Sequence, residues 1–174
     1  MKSNNIDLTV LAGVLERGRQ DPAALKMVKR VEGTWNFAQG APAFTATVAH
    51  GTQTSTLHVD IAPGFGGDGL APDPLQYMLL GLGSCYAATV VTIAALEGIE
   101  ISDLQVIAES HADMSHVYDI ADNPLMEQVS VIVKVTADVD DDTLSRWQQT
   151  ARDKCPFAYT VINAVPLETH IERA

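Results

Sequence analysis

Between Asp73 and Glu97 lies LQYMLLGLGSCYAATVVTIAAL, Leu75 to Leu96, twenty-two consecutive residues without a charge. A run of that length meets the requirement for a membrane-crossing helix, so the rest of the chain has to be understood around it. Its composition points to a protein interior instead. It carries Gln76, Ser84, Thr89, Thr92 and two glycines, and its flanks are acidic, where a membrane span is usually flanked by basic residues. The pattern predicts one long helix, buried on all sides, with no membrane partner. Asp73 is placed to cap its start, Pro74 suits its first position, and Gly98 is placed to end it.

The 174 residues suit one domain with a short extension, read as residues 1–27 ahead of a domain at 28–174. A hydrophobic fraction of 47% with 19% charged residues favours a packed core over disorder. Twenty-two acidic against eleven basic side chains leave a net charge of −11, a field that repels phosphate backbones and anionic lipid. Nucleic acid is therefore not an expected partner. The N-terminus meets Asn4, Asn5 and Asp7 before any apolar run develops, so it lacks a secretory h-region and a cytoplasmic location is expected.

Around the long helix the pattern alternates between two periods. Ile6, Val10, Leu11, Val14 and Leu15 follow helical spacing up to the Asp21-Pro22 break. Val31, Trp35 and Phe37 alternate with polar neighbours, predicting a half-buried strand with Arg30 on its polar face. Phe44 to His50 and Thr54 to Ile61 predict two more strands, joined near Gly51 in an antiparallel meander. Beyond the helix, Leu104 to Ser110 and Val129 to Ala137 read as strands. Asp140 to Asp142 cap a second helix with Leu144, Trp147 and Ala151 inward, and Leu167 to Ile171 reads as a closing strand.

Most motif-like features have plain structural explanations. Gly64, Gly66 and Gly69 satisfy G-x-G-x-x-G, but Pro72 and Pro74 separate them from the helix and no βαβ order surrounds them, so a nucleotide site is not expected. The five histidines form no helical metal-ligand pair, and the aspartates at 138 and 140–142 lack the glycine and distal glutamate of a calcium loop. Ser84 in GLGSCYA is outside a nucleophile elbow.

Two cysteines are left. Cys85 stands on the long helix in a strip of small residues with Gly81, Ala88 and Thr92, where it serves either as a small apolar packing group or as a reactive thiol. Pro156 disfavours helix at the residue before it, which makes Cys155 the cap of a new short turn beside Arg152 and Lys154. A depressed thiol pKa is expected there. One thiol that attacks and one that resolves are what a two-cysteine redox cycle requires.

The stretches GGDGLAPDP leading into LQYMLLGLGSCYA, and later CPFAYTVINAVPLETHI, resemble the OsmC/Ohr family from about Arg30 onward. The resemblance implies an α+β, OsmC-like fold: antiparallel sheets packed on two central helices, in an interwoven homodimer with its sites at the interface. It implies a peroxidatic Cys85 and a resolving Cys155 that reduce small organic hydroperoxides, with an external dithiol as reductant and no cofactor. Family peroxidases also carry glutamate after the helix-opening proline, where this chain has Leu75, and arginine in an early glycine-rich stretch, where Trp35 to Gly40 has none. Arg30 is the nearest early arginine and the candidate for that role, against its reading as a solvent-facing strand residue. The other use of such a fold is as a non-catalytic module that binds a small molecule at the interface pocket.

Overall fold

A computed structural model describes residues 1–173. Their backbone separates into two compact units, one made of Met1–Thr9 with the chain from Gly81 onward, the other of Val10–Leu80.

In the Val10–Leu80 unit, most of the first helix, α1 (Leu8–Gln20), is followed by a three-stranded antiparallel sheet in the order β3 (Glu32–Trp35), β4 (Phe44–His50), β5 (Gln53–Val59). The meander anticipated from alternation is present, with Phe44 opposite Val59 and His50 opposite Gln53. Its first strand is corrected. It begins at Glu32, all four of its residues are exposed, and Arg30 lies before it, not on its polar face. With Gly33 in the middle and the Phe44 ring filling the space where a side chain at 33 would stand, the strand has little apolar surface of its own to bury.

Asp60, at the exit of β5, was not anticipated as an organising residue. Only 4% exposed, its carboxylate accepts the backbone N–H groups of Ala43 at 3.2 Å and Leu70 at 2.7 Å, tying the strand entry to the glycine-rich loop. The Leu70 N–H, chief among several backbone donors, holds its pKa below the ordinary carboxylate value. Gly66 and Gly69 turn that loop in left-handed conformations, with φ of 89° and 66°.

The long helix, α2, runs Pro74–Leu96. Asp73 and Gln76 form a reciprocal capping box: the Asp73 carboxylate accepts the Gln76 N–H at 3.0 Å, and the Gln76 side chain accepts the Asp73 N–H at 2.9 Å. At the other end Gly98 has φ of 72°, and the Ile99 N–H bonds back to the Ala94 carbonyl. Burial on all sides is the expectation that fails. Leu82, Tyr86, Val90, Ala94 and Ala95 are buried, yet Leu80 is 64% exposed and Leu96 is also open. By length and composition alone α2 could cross a membrane, and within one chain much of its apolar surface is uncovered.

The unit that contains Gly81 onward opens with a small hairpin, β1 (Lys2–Ser3) and β2 (Ile6–Asp7), turned by Asn4 and Asn5 at positive φ. The Asn4 carboxamide donates to the Ile99 carbonyl at 2.7 Å and accepts the Ile101 N–H at 2.9 Å. The two main strands, β6 (Ile101–Ala112) and β7 (Met126–Ala137), pair antiparallel over nearly their whole length. Val129, Val131, Val133 and Val135 of β7 turn one face onto the core.

Two more helices complete the unit. Asp140 caps α3 (Asp141–Lys154) by accepting the Thr143 N–H at 2.9 Å, and the helix buries Trp147, 2% exposed, and Ala151. The Glu97 carboxylate, at the end of α2, accepts the Trp147 Nε1–H at 2.8 Å and pairs with Arg146. A short helix, α4 (Pro156–Ile162), follows directly. The closing strand expected at Leu167–Ile171 is absent: residues 163–173 form no strand and are exposed. Alternation alone does not make a strand, because a strand also needs an edge to pair with.

Candidate active site

α2 and the junction of α3 with α4 bring the two cysteines together. Cys85 is half-buried on α2 and Cys155 is wholly buried, at 0% exposure. Neither is in a disulfide, Cys85 packs against the core cluster that contains Cys155, and the two are near enough for Cys155 to act on the Cys85 pKa.

The sequence around each thiol explains its position. Cys155 cannot continue α3 because Pro156 follows, so its extended backbone starts α4. Its Sγ accepts the Ala158 N–H at 3.5 Å as the helix cap. That turn aims the Phe157 N–H at the Cys85 sulfur. Gly81, one turn before Cys85, makes room for the Phe157 ring: a Cβ there would lie 3.0 Å from the ring's Cζ. The strip of small residues thus seats an aromatic ring beside the thiols. Tyr86, next to Cys85, donates its hydroxyl to the Gln148 carbonyl at 2.9 Å and fastens α2 to α3.

Burial pushes the Cys85 thiol above its ordinary pKa. The Phe157 N–H works against this, while the neighbouring Cys155 adds to it. The surroundings of Cys85 thus favour its protonated form. Chemically, the arrangement can close a disulfide once either sulfur is oxidised. Arg30 belongs to the other unit, where its guanidinium pairs with Glu32 at 2.7 Å and both side chains are exposed. Leu75, where family peroxidases carry glutamate, occupies the first turn of α2.

The chain is, by fold and site, an α+β protein whose sheet packs on helices that set two reduced cysteines near one another. The family model for OsmC-like proteins matches residues 66–170, which spans α2, both main strands and both cysteines, and the chain belongs to that family. The chain is similar in fold to an OsmC-like protein of Mycoplasma pneumoniae, at 15% identity and a TM-score of 0.59, covering 79% of this chain and 89% of that one. It is also similar to an organic hydroperoxide resistance protein, OsmC, of Legionella pneumophila, at 15% identity and a TM-score of 0.53, covering 78% and 91%. Nothing among curated proteins matches it. The mixed architecture of small antiparallel sheets and four helices is that of the OsmC-like structures.

Proposed function

We propose that this chain is a cytoplasmic, thiol-dependent peroxidase that reduces small organic hydroperoxides through a Cys85/Cys155 dithiol–disulfide cycle, working as a homodimer without a cofactor. The observation that carries this is the closeness, in one packed cluster, of two reduced thiols seventy residues apart in sequence. Family membership and the hydroperoxide-resistance description of the Legionella protein support it.

In the cycle the Cys85 thiolate attacks one oxygen of the O–O bond. That bond breaks, the alkoxide leaves with a proton as the alcohol, and Cys85 becomes a sulfenic acid. Cys155 then attacks the sulfenic sulfur, water departs, and the disulfide forms. An external dithiol returns both sulfurs to thiols while becoming a disulfide itself. Arg30 is assigned the role of a cation favouring the thiolate. Its observed partner is Glu32, so an Arg30→Gln variant that oxidises at the wild-type rate removes it from the scheme.

Stopped-flow oxidation of the reduced protein by cumene hydroperoxide tests the central claim. The expected result is a Cys85–Cys155 disulfide that forms faster than a free thiol is oxidised. Oxidation no faster than that rejects the enzyme. The raised Cys85 pKa and the apolar Leu75 would then favour the second reading, a non-catalytic module that binds an apolar or thiol-reactive small molecule. Under that reading native mass spectrometry should find a ligand retained by the Cys85→Ser variant.

A further inference from the structure

The Val10–Leu80 unit carries a cavity of its own, of about 390 Å³, within the roughly 300–1,000 Å³ of small-molecule sites. Three aromatic side chains line it. Trp35 of β3 stands opposite Phe44 of β4, and Phe44 stands opposite Val59 of β5, so this row crosses the sheet on one face. Tyr77, in the first turn of α2, adds the third ring. Its hydroxyl donates to the His58 carbonyl at 2.8 Å, which holds it at the end of β5.

Among the described residues Asp60 is the only charged group that lines this cavity. Its carboxylate is buried, and its partners are the backbone N–H groups of Ala43 and Leu70, with no basic side chain beside it. Such donors favour the anion but carry no net charge, so a whole negative charge is held next to three aromatic rings, whose faces are themselves negative. The protein's net charge of −11 acts in the same direction, and the cavity suits a cation. Hydrogen bonding narrows the choice. A primary ammonium or a guanidinium brings several N–H donors that must find acceptors once water is gone. Both Asp60 oxygens already accept backbone donors, and no second carboxylate lines the wall. A fully methylated ammonium has no donor to satisfy and presents its charge on an apolar surface.

We infer that this cavity binds the quaternary ammonium group of a small molecule, with Trp35, Phe44 and Tyr77 around the methyl groups and Asp60 as the counter-charge. Attraction between a cation and aromatic rings strengthens as water is excluded, and the methyl groups gain by leaving water. An uncharged ligand of the same shape keeps only the second gain, and an anion meets the Asp60 carboxylate as a like charge. Neither cysteine lines the cavity, so this binding is a property separate from the thiol chemistry proposed above.

The experiment is isothermal titration of the full, reduced chain with choline, and in parallel with its uncharged tert-butyl analogue and with ethanolamine, its unmethylated counterpart. Choline should bind saturably, with a dissociation constant roughly tenfold or more below that of either analogue. Trp35→Ala should weaken choline by roughly tenfold with little change in melting temperature, since Trp35 is 46% exposed on an edge strand. Trp35→Phe should recover part of the loss, and Cys85→Ser should bind choline as the wild type does. Equal affinity for the uncharged analogue overturns the choice of a cation, and tighter binding of ethanolamine overturns the choice of a methylated one. Absence of saturable binding overturns the site itself. Full choline affinity in Trp35→Ala, or its loss in Cys85→Ser, puts the ligand elsewhere and rejects the proposal.

Discussion

At the scale of single residues, the Cys85 thiol is unusual for a proposed nucleophile because its surroundings favour the proton. Its alkylation by iodoacetamide, followed against pH, should show a midpoint above the ordinary thiol value of about 8.5. Cys155→Ala should bring that midpoint down, because Cys155 is one of the causes of the rise. The raised value also sets a sign for stability. The folded state favours the neutral thiol, so this contribution is complete below the unfolded pKa and is lost as pH climbs through the folded one. Asp60 behaves in the opposite sense. Its depressed pKa contributes stability above the unfolded carboxylate value, lost as pH falls through the folded value. Asp60→Asn should therefore melt below the wild type at neutral pH, with the gap closing in acid, as thermal denaturation across that range would show. Nothing in the sequence announced Asp60. An acid at a strand exit before a glycine-rich loop is an ordinary surface pattern, and its importance comes from backbone donors that only the folded loop supplies.

At the scale of elements, the helices were legible and the strands less so, for a physical reason. Helix ends are written locally: Asp73, Asp140, the Cys155-Pro156 step and Gly98 each act within a few residues, and each stands where the sequence placed it. Strands depend on partners far away. The run near Val31 shortened to Glu32–Trp35, and the alternation at Leu167–Ile171 found no edge in its own chain. The meeting of the two cysteines was likewise implied only through family resemblance, because no spacing rule connects positions 85 and 155. Two substitutions test the packing that brings them together. Gly81→Val should crowd the Phe157 ring, cost about 1–3 kcal/mol, and slow disulfide closure. Trp147→Ala should cost about 3–5 kcal/mol in chemical denaturation, since it empties the centre of the α2–α3 contact and strips Glu97 of a donor.

For the whole molecule, the dominant facts are a net charge of −11 and an apolar helix only partly covered by its own chain. These act in opposite directions on association. Apolar surface draws copies together, and like charge holds them apart at long range. Sedimentation at micromolar concentration should show a dimer that tightens as salt rises from low to moderate ionic strength, because screening weakens only the repulsion. A salt-independent monomer would contradict this balance.

The sulfur of Cys155 has two tasks in the reduced protein, as neighbour of Cys85 and as the acceptor that closes the first turn of α4. A disulfide changes the electron density and the direction of that sulfur, so the helix that begins on it registers the bond as a change in its own order. The amides from Phe157 to Thr160 then act as a gauge of oxidation state. Their hydrogen exchange should quicken when the pair is oxidised and slow again on reduction, giving the chain a way to display its chemical history as backbone mobility.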